Sequence, residues 1–209
     1  MNTGHILQIL LLITVAGEFA VPWMLGRKYP GYEPRTMVMS VLGCPESPVR
    51  RIYNLWLIWL GVILISCSAM LYGDVRFDYP AAGMIRSGIL LIFAVGAGIL
   101  SGLFSVNESR ETVTAASQIH GIGSAVGFMA LLFLPLIDGI LAFRQEKNLV
   151  ALLDLTAFAG AFVFFILFIL GDKERFRHTV CAWAGLWERL TLACMYVPLV
   201  LRIIESFIS

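Results

Sequence analysis

The residues best suited to chemistry are a few acids, one imidazole and one guanidinium set in strongly apolar sequence. Glu18 lies late in the first apolar run, His120 early in the fourth, and Glu188 and Arg189 open the sixth. Asn54 opens the second run, and Asn107 and Glu108 close the third. A carboxyl and an imidazole in a partly dry cavity can exchange a proton or hold a polar headgroup. Arg presents a planar fork that suits phosphate or carboxylate. The expected catalytic set is His120, Glu108 and Glu188, with His120 as proton acceptor. The expected ligand contacts are Arg189, Ser40, Asn54, Glu18 and Tyr32. Each residue has a plainer alternative. His120 can bond a neighbouring carbonyl, and Glu18 can be a structural hydrogen-bond partner. Glu188 and Arg189, adjacent and therefore on different sides of a helix, can anchor the interface by snorkelling.

What must position these groups is a bilayer-spanning scaffold. Of 209 residues, 59% are hydrophobic and 14% charged, with a mean hydropathy of +0.85. A soluble domain of this size lacks the polar groups to cover itself, whereas lipid tolerates an apolar exterior. Crossing the hydrocarbon takes about 20 apolar residues, and six windows qualify: 5–25, 52–72, 82–104, 113–143, 150–170 and 186–208. With no water at mid-bilayer, each window must satisfy its backbone internally and so be a helix. The expected fold is all-α, a six-helix polytopic bundle forming a single integral membrane domain over 1–209. The fourth window exceeds the need and is expected to tilt, kink near Pro135 or overrun an interface. No Lys or Arg precedes the first run, which reads as a retained helix and not a cleaved signal.

Several classes drop out. A net charge of +1 gives no basic surface for nucleic acid. Cys44, Cys67, Cys181 and Cys194 show no CxxC spacing, so neither a metal site nor a disulfide framework is expected. No Walker, dinucleotide-loop, HExxH or GxSxG sequence occurs. Any cofactor is left unspecified.

The chain ends define face A, and the opposite side is face B. Face B carries the long segment 26–51, with 105–112 and 171–185, so polar chemistry is expected there. Basic residues divide ten on face B (Arg27, Lys28, Arg35, Arg50, Arg51, Arg110, Lys173, Arg175, Arg177, Arg189) against five on face A (Arg76, Arg86, Arg144, Lys147, Arg202). That excess favours a cytoplasmic face B and external termini. Asp138 and Asp154 read as water-exposed helix-end residues of face A. Gly98 and Gly102, with Gly123 and Gly127, predict close packing of the third span against the fourth. Within the first loop, the apolar stretch 36–42 reads as a short helix that lies in the interface or dips toward the bundle.

That loop also carries a resemblance. Tyr32-Glu33-Pro34, Met39-Ser40-Val41-Leu42-Gly43, Pro48 and Tyr53-Asn54 resemble a six-span prokaryotic membrane family known as domain of unknown function 998. His120 at the start of the fourth span and Gly185 to Arg189 at the start of the sixth extend the likeness over essentially the whole chain. Two departures stand: Val41 where the family favours an acid, and Phe104-Ser105 in place of Phe-Pro. The resemblance implies a multi-pass protein of a prokaryotic plasma membrane. The leading expectation is binding or processing of a lipid headgroup or other amphipathic molecule at face B, with membrane lipids as partners. A small transporter and a non-catalytic partner or assembly subunit remain as alternatives. Whether the protein is an enzyme stays open.

Overall fold

The computed structural model describes residues 3–73, 75–107, 113–171 and 173–208. Six helices are long and apolar enough to cross a membrane: α1 (Thr3–Gly26), α2 (Arg50–Gly73), α3 (Pro80–Leu103), α4 (Ala115–Arg144), α5 (Asn148–Gly171) and α6 (Ala184–Ile208). The protein is an all-helical, multi-pass membrane bundle.

Local sequence explains where the helices begin and bend. Pro80 opens α3, where its missing N–H costs nothing. Thr114 caps α4 by accepting from Ser117 N, and the Ser117 side chain returns the bond. The α4 helix breaks between Leu131 and Leu134 and restarts with Pro135 in its first turn. This is the kink expected from Pro135, because the ring cannot donate into the preceding turn. One bend was not expected: residues Ala94–Leu100 of α3 form a π-helix. Such widened turns recur at functional sites.

The helices pack as a closed ring in chain order, with α6 returning to α1. At the face-A end the ring collapses: the second half of α4 touches α6 across the centre as well as α5. At the face-B end the first half of α4 leans onto α3, and the ring stays open inside. Small residues set that lean. Gly123 of α4 meets the Gly96 backbone so closely that a Cβ on either glycine would crowd the other helix. Gly98 and Gly102 do not face α4, contrary to their spacing. They face α2, where a Cβ on Gly98 would stand 2.7 Å from Gly61 Cα. The spacing does mark a close helix approach, but to α2 and not to α4.

The second correction concerns face A. Asp138 and Asp154 are 1% and 2% exposed, not open to water. Arg86, itself fully buried, places Nε 2.9 Å from Asp138 Oδ1, and Arg202 reaches the same oxygen at 2.8 Å. Asp154 belongs to the same electrostatic neighbourhood, and Lys147 pairs with Glu205 at 3.0 Å nearer the rim. Position near a helix end suggested hydration; only the facing of α3, α4 and α6 shows that two guanidiniums meet one carboxyl inside.

Candidate functional site

The open end of the ring is a cavity of about 410 Å³ to which all six helices contribute. Its polar lining includes Glu18 of α1, Ser101 of α3, His120 and Ser124 of α4, Glu188 of α6, and Ser40 of the first loop. The apolar lining includes Leu57 and Leu60 of α2, Phe93 of α3, Phe128 of α4, Phe165 of α5 and Leu192 of α6. On α3, α4 and α6 the polar residue lies nearer face B than its apolar companion on the same helix.

Each polar group is held from behind. Glu18, 4% exposed, accepts from Trp56 Nε1 at 2.9 Å. Glu188 accepts from the backbone N–H of Met39 at 2.7 Å. His120 Nδ1 lies 2.8 Å from the Phe104 carbonyl, which requires that nitrogen to carry the hydrogen. The Ser101 backbone is a second hydrogen-bond partner of the ring, and in its neutral form such an imidazole carries its acceptor at Nε2. The Ser101 hydroxyl bonds Gly96 O at 3.0 Å and lies 2.8 Å from Ser124 Oγ.

A lid of loop closes the face-B end. The 3₁₀ turn Met39–Gly43 buries Met39, Leu42 and Gly43, so the apolar stretch dips into the bundle. The start of α6 is its dock. The Pro34 and Met37 carbonyls lie directly over Gly185, where a Cβ would collide with them. Leu186 N–H donates to Arg35 O at 2.9 Å. Arg189 donates to Pro34 O at 2.8 Å, Met37 O at 3.4 Å, Gly185 O at 2.6 Å and Tyr32 Oη at 2.6 Å. The guanidinium is therefore turned into the loop and away from the cavity. Tyr32 is buried beneath it, and burial pushes the phenol up to about 12, against the opposing pull of Arg189.

Asn54 supports the wall from outside. Its Nδ2 donates to Ser105 Oγ at 3.1 Å, which Arg50 Nε also reaches at 3.3 Å. Its Oδ1 is buried without a partner beside Gly43. Of the residues expected from sequence, Glu18, Ser40, His120 and Glu188 meet in one cavity. Tyr32 and Arg189 bolt its lid, Asn54 sits behind its wall, and Glu108 lies outside the described residues. Sequence reasoning passed over Ser101 and Ser124. Their one signal was position, small hydroxyls within the glycine-rich runs where backbones approach.

These paired elements are the short motifs noted in the sequence. Tyr32 and Pro34 dock on Gly185 and Arg189, Gly43 on Asn54, and His120 on Phe104. A family model described as protein of unknown function (DUF998) matches residues 12–204. The chain belongs to this family. No curated protein and no solved structure matches it significantly. The family match spans α1 to α6, and so covers the lid, its dock and the cavity alike.

Proposed function

We propose that the protein binds a membrane lipid or similar amphiphile at face B. The polar end rests against Glu18, Glu188 and the serines, and the chain lies among Leu57, Leu60, Phe93 and Phe165. The observation that carries this reading is a cavity lined mostly by aromatic and aliphatic side chains with a few polar groups among them. Ligand sites are commonly mostly apolar with a few convergent polar groups.

The lining also favours one headgroup chemistry. Among the described lining residues there are two carboxyl groups, an imidazole and hydroxyls, but no Lys or Arg. Arg189 is engaged by the lid, so its fork is not offered to a phosphate. Carboxyl and serine oxygens instead accept from hydroxyl or amine donors. His120 Nε2 is an acceptor for a proton from such a group, which is the role that processing of the headgroup would need.

Thermal unfolding in detergent tests the reading. A monoacylglycerol and a long-chain alkylamine should raise the midpoint, and a lysophosphatidic acid of equal chain length should raise it less. At a hundredfold excess over Kd, binding stabilises by about 2.7 kcal/mol. Leu60→Trp, which fills the apolar part of the cavity, should remove the response. Equal shifts from all three amphiphiles, or none, would discard the proposal.

Orientation follows from the same features. Arg86 and Arg202 converge on Asp138, and Arg86 is wholly buried. Arg76, Arg144 and Lys147 are then the face-A cations left to act as loop charges. This strengthens the excess on face B and supports a cytoplasmic lid. Cysteine accessibility at an introduced loop site in intact cells tests it: labelling at Lys28→Cys by an impermeant reagent would reverse the assignment.

A further inference from the structure

One side of the cavity is walled by side chains and not by closely packed helix backbones. Gly121, Ala125 and Met129 recur every fourth residue on α4, and Phe165 and Ile169 do so on α5. Residues at this spacing share one helix face. All five line the cavity, yet Gly121, Ala125, Met129 and Ile169 are also exposed on the outside of the bundle. Side chains that border both spaces mark a mouth. The stripes belong to the spans, so this mouth opens sideways into hydrocarbon and not toward a loop.

The fold explains the gap. The first half of α4 is drawn onto α3 by Gly96 against Gly123 and by Gly127 against Ala97. After the break at residues 131–134 the helix is re-aimed, and Gly139 then admits Leu155 of α5. Among the described residues, the α4 and α5 backbones run side by side only in this face-A half. Phe128 and Phe168 stack across the gap with centroids 6.4 Å apart. Meanwhile the lid residues Val38, Met39 and Ser40 occupy the face-B end, bolted to Glu188 and Arg189.

The geometry points to a lateral portal between α4 and α5, through which a bilayer lipid with a hydroxyl headgroup slides from the face-B leaflet into the cavity. This rests on the amphiphile-binding reading above and adds the source of the ligand and its route. The rim is glycine, alanine, methionine, phenylalanine and isoleucine, a surface that an acyl chain can follow with no polar group to desolvate. Gly121 and Ala125 supply the width. A neutral headgroup crosses such a rim at much lower cost than a phosphate, because an ion in hydrocarbon is far dearer than a hydroxyl.

The test uses the full chain in phosphatidylcholine vesicles containing a diacylglycerol with a diazirine in one acyl chain. After photolysis, label is read residue by residue, on Leu57, Leu60 and Phe93 inside and on Leu152 and Leu153 outside. The unaltered protein should be labelled at both. Ala125→Trp should cut interior labelling roughly tenfold by overfilling the mouth while outer labelling holds. Ile166→Trp, exposed on α5 but absent from the cavity lining, should change neither. Met129→Trp serves in the same role if Ala125→Trp does not assemble. Equal interior labelling in the unaltered, Ala125→Trp and Met129→Trp proteins overturns the portal and leaves the binding reading intact. No interior labelling in the unaltered protein overturns both.

Discussion

The bundle holds two buried polar clusters, and they are built on opposite plans. At the face-A end, Arg86 and Arg202 close on a single oxygen of Asp138, where the second half of α4 crosses to α6. At the face-B end, Glu18, Glu188 and His120 are each tethered from behind by a neutral partner and border open space. Opposite charges in contact neutralise one another and fasten three helices. Acceptors held apart around a cavity keep bonding capacity for something else. Burial and polarity alone do not distinguish a staple from a site; the partner of each group does.

The sharpest way to break this contrast is to remove the shared carboxyl. Asp138→Ala strands two guanidiniums in an apolar interior, and losing one partner of a buried pair costs about 3–5 kcal/mol. Chemical unfolding in mixed micelles should show that loss. A stable Asp138→Ala protein would mean that the face-A cluster is not the fastening it looks to be. The corresponding change at face B, Glu188→Ala, removes a single bond to Met39 N–H and should cost less than Asp138→Ala.

Arg189→Ala comes next in size. It deletes three contacts that hold the lid to α6, and charged hydrogen bonds are worth about 1.5–3 kcal/mol each when singly removed. The expected loss is about 2 kcal/mol, because a freed loop recovers part of it by solvation. Limited trypsin digestion should then cut after Arg35 faster than in the unaltered protein. Arg189→Lys should not restore resistance, since an ammonium cannot reproduce a fork that reaches Tyr32 and the Pro34 carbonyl together. Unchanged digestion would place the strength of the lid elsewhere.

How much of this was legible in the chain depends on the distance over which each feature is decided. The spans follow from composition, because hydrocarbon leaves the backbone no alternative to helix. The α4 break is written in Pro135. Glu18, His120 and Glu188 were visible as polar interruptions at one depth. The facing of helices was not visible. Asp138 and Arg86 lie 52 positions apart in different spans, and nothing local says that they meet. Arg189 was read as an anion contact from its chemistry, yet its rotamer turns it into a loop 155 residues upstream. Gly98 was given the wrong partner because glycine spacing marks a close approach without saying which helix makes it. Ser101 and Ser124 stayed hidden because a serine among glycines looks like packing until a cavity is seen beside it.

His120 separates holding from acting. His120→Ala loses its bonds to the Phe104 and Ser101 backbone and should cost about 1 kcal/mol. His120→Gln can restore a donor to the Phe104 carbonyl but offers no ring nitrogen to receive a proton. If the imidazole acts on a ligand, both variants should remain folded and both should lose turnover of a hydroxyl-bearing amphiphile. If it only positions α3 against α4, the Gln variant should match the unaltered protein in stability and in amphiphile response. The second outcome would move His120 from the site to the staple side of the comparison.

The smallest effect concerns the lid. The Tyr32 phenol is raised from about 10 to about 12 by burial, so docking favours the protonated form. A value raised on docking means that the stabilisation is complete below pH 10 and is lost as pH climbs through 12. By pH 10.5 the loss should be about 1 kcal/mol. Arg35 lies over the Trp183 ring at 4.6 Å, so release of the loop should alter indole fluorescence. The fluorescence change should begin near pH 10 in the unaltered protein and be absent from that range in Tyr32→Phe, which keeps the ring but has no proton to lose. Identical ramps in the two proteins would show that the lid stays docked on its backbone bonds to α6, with the phenol a passenger.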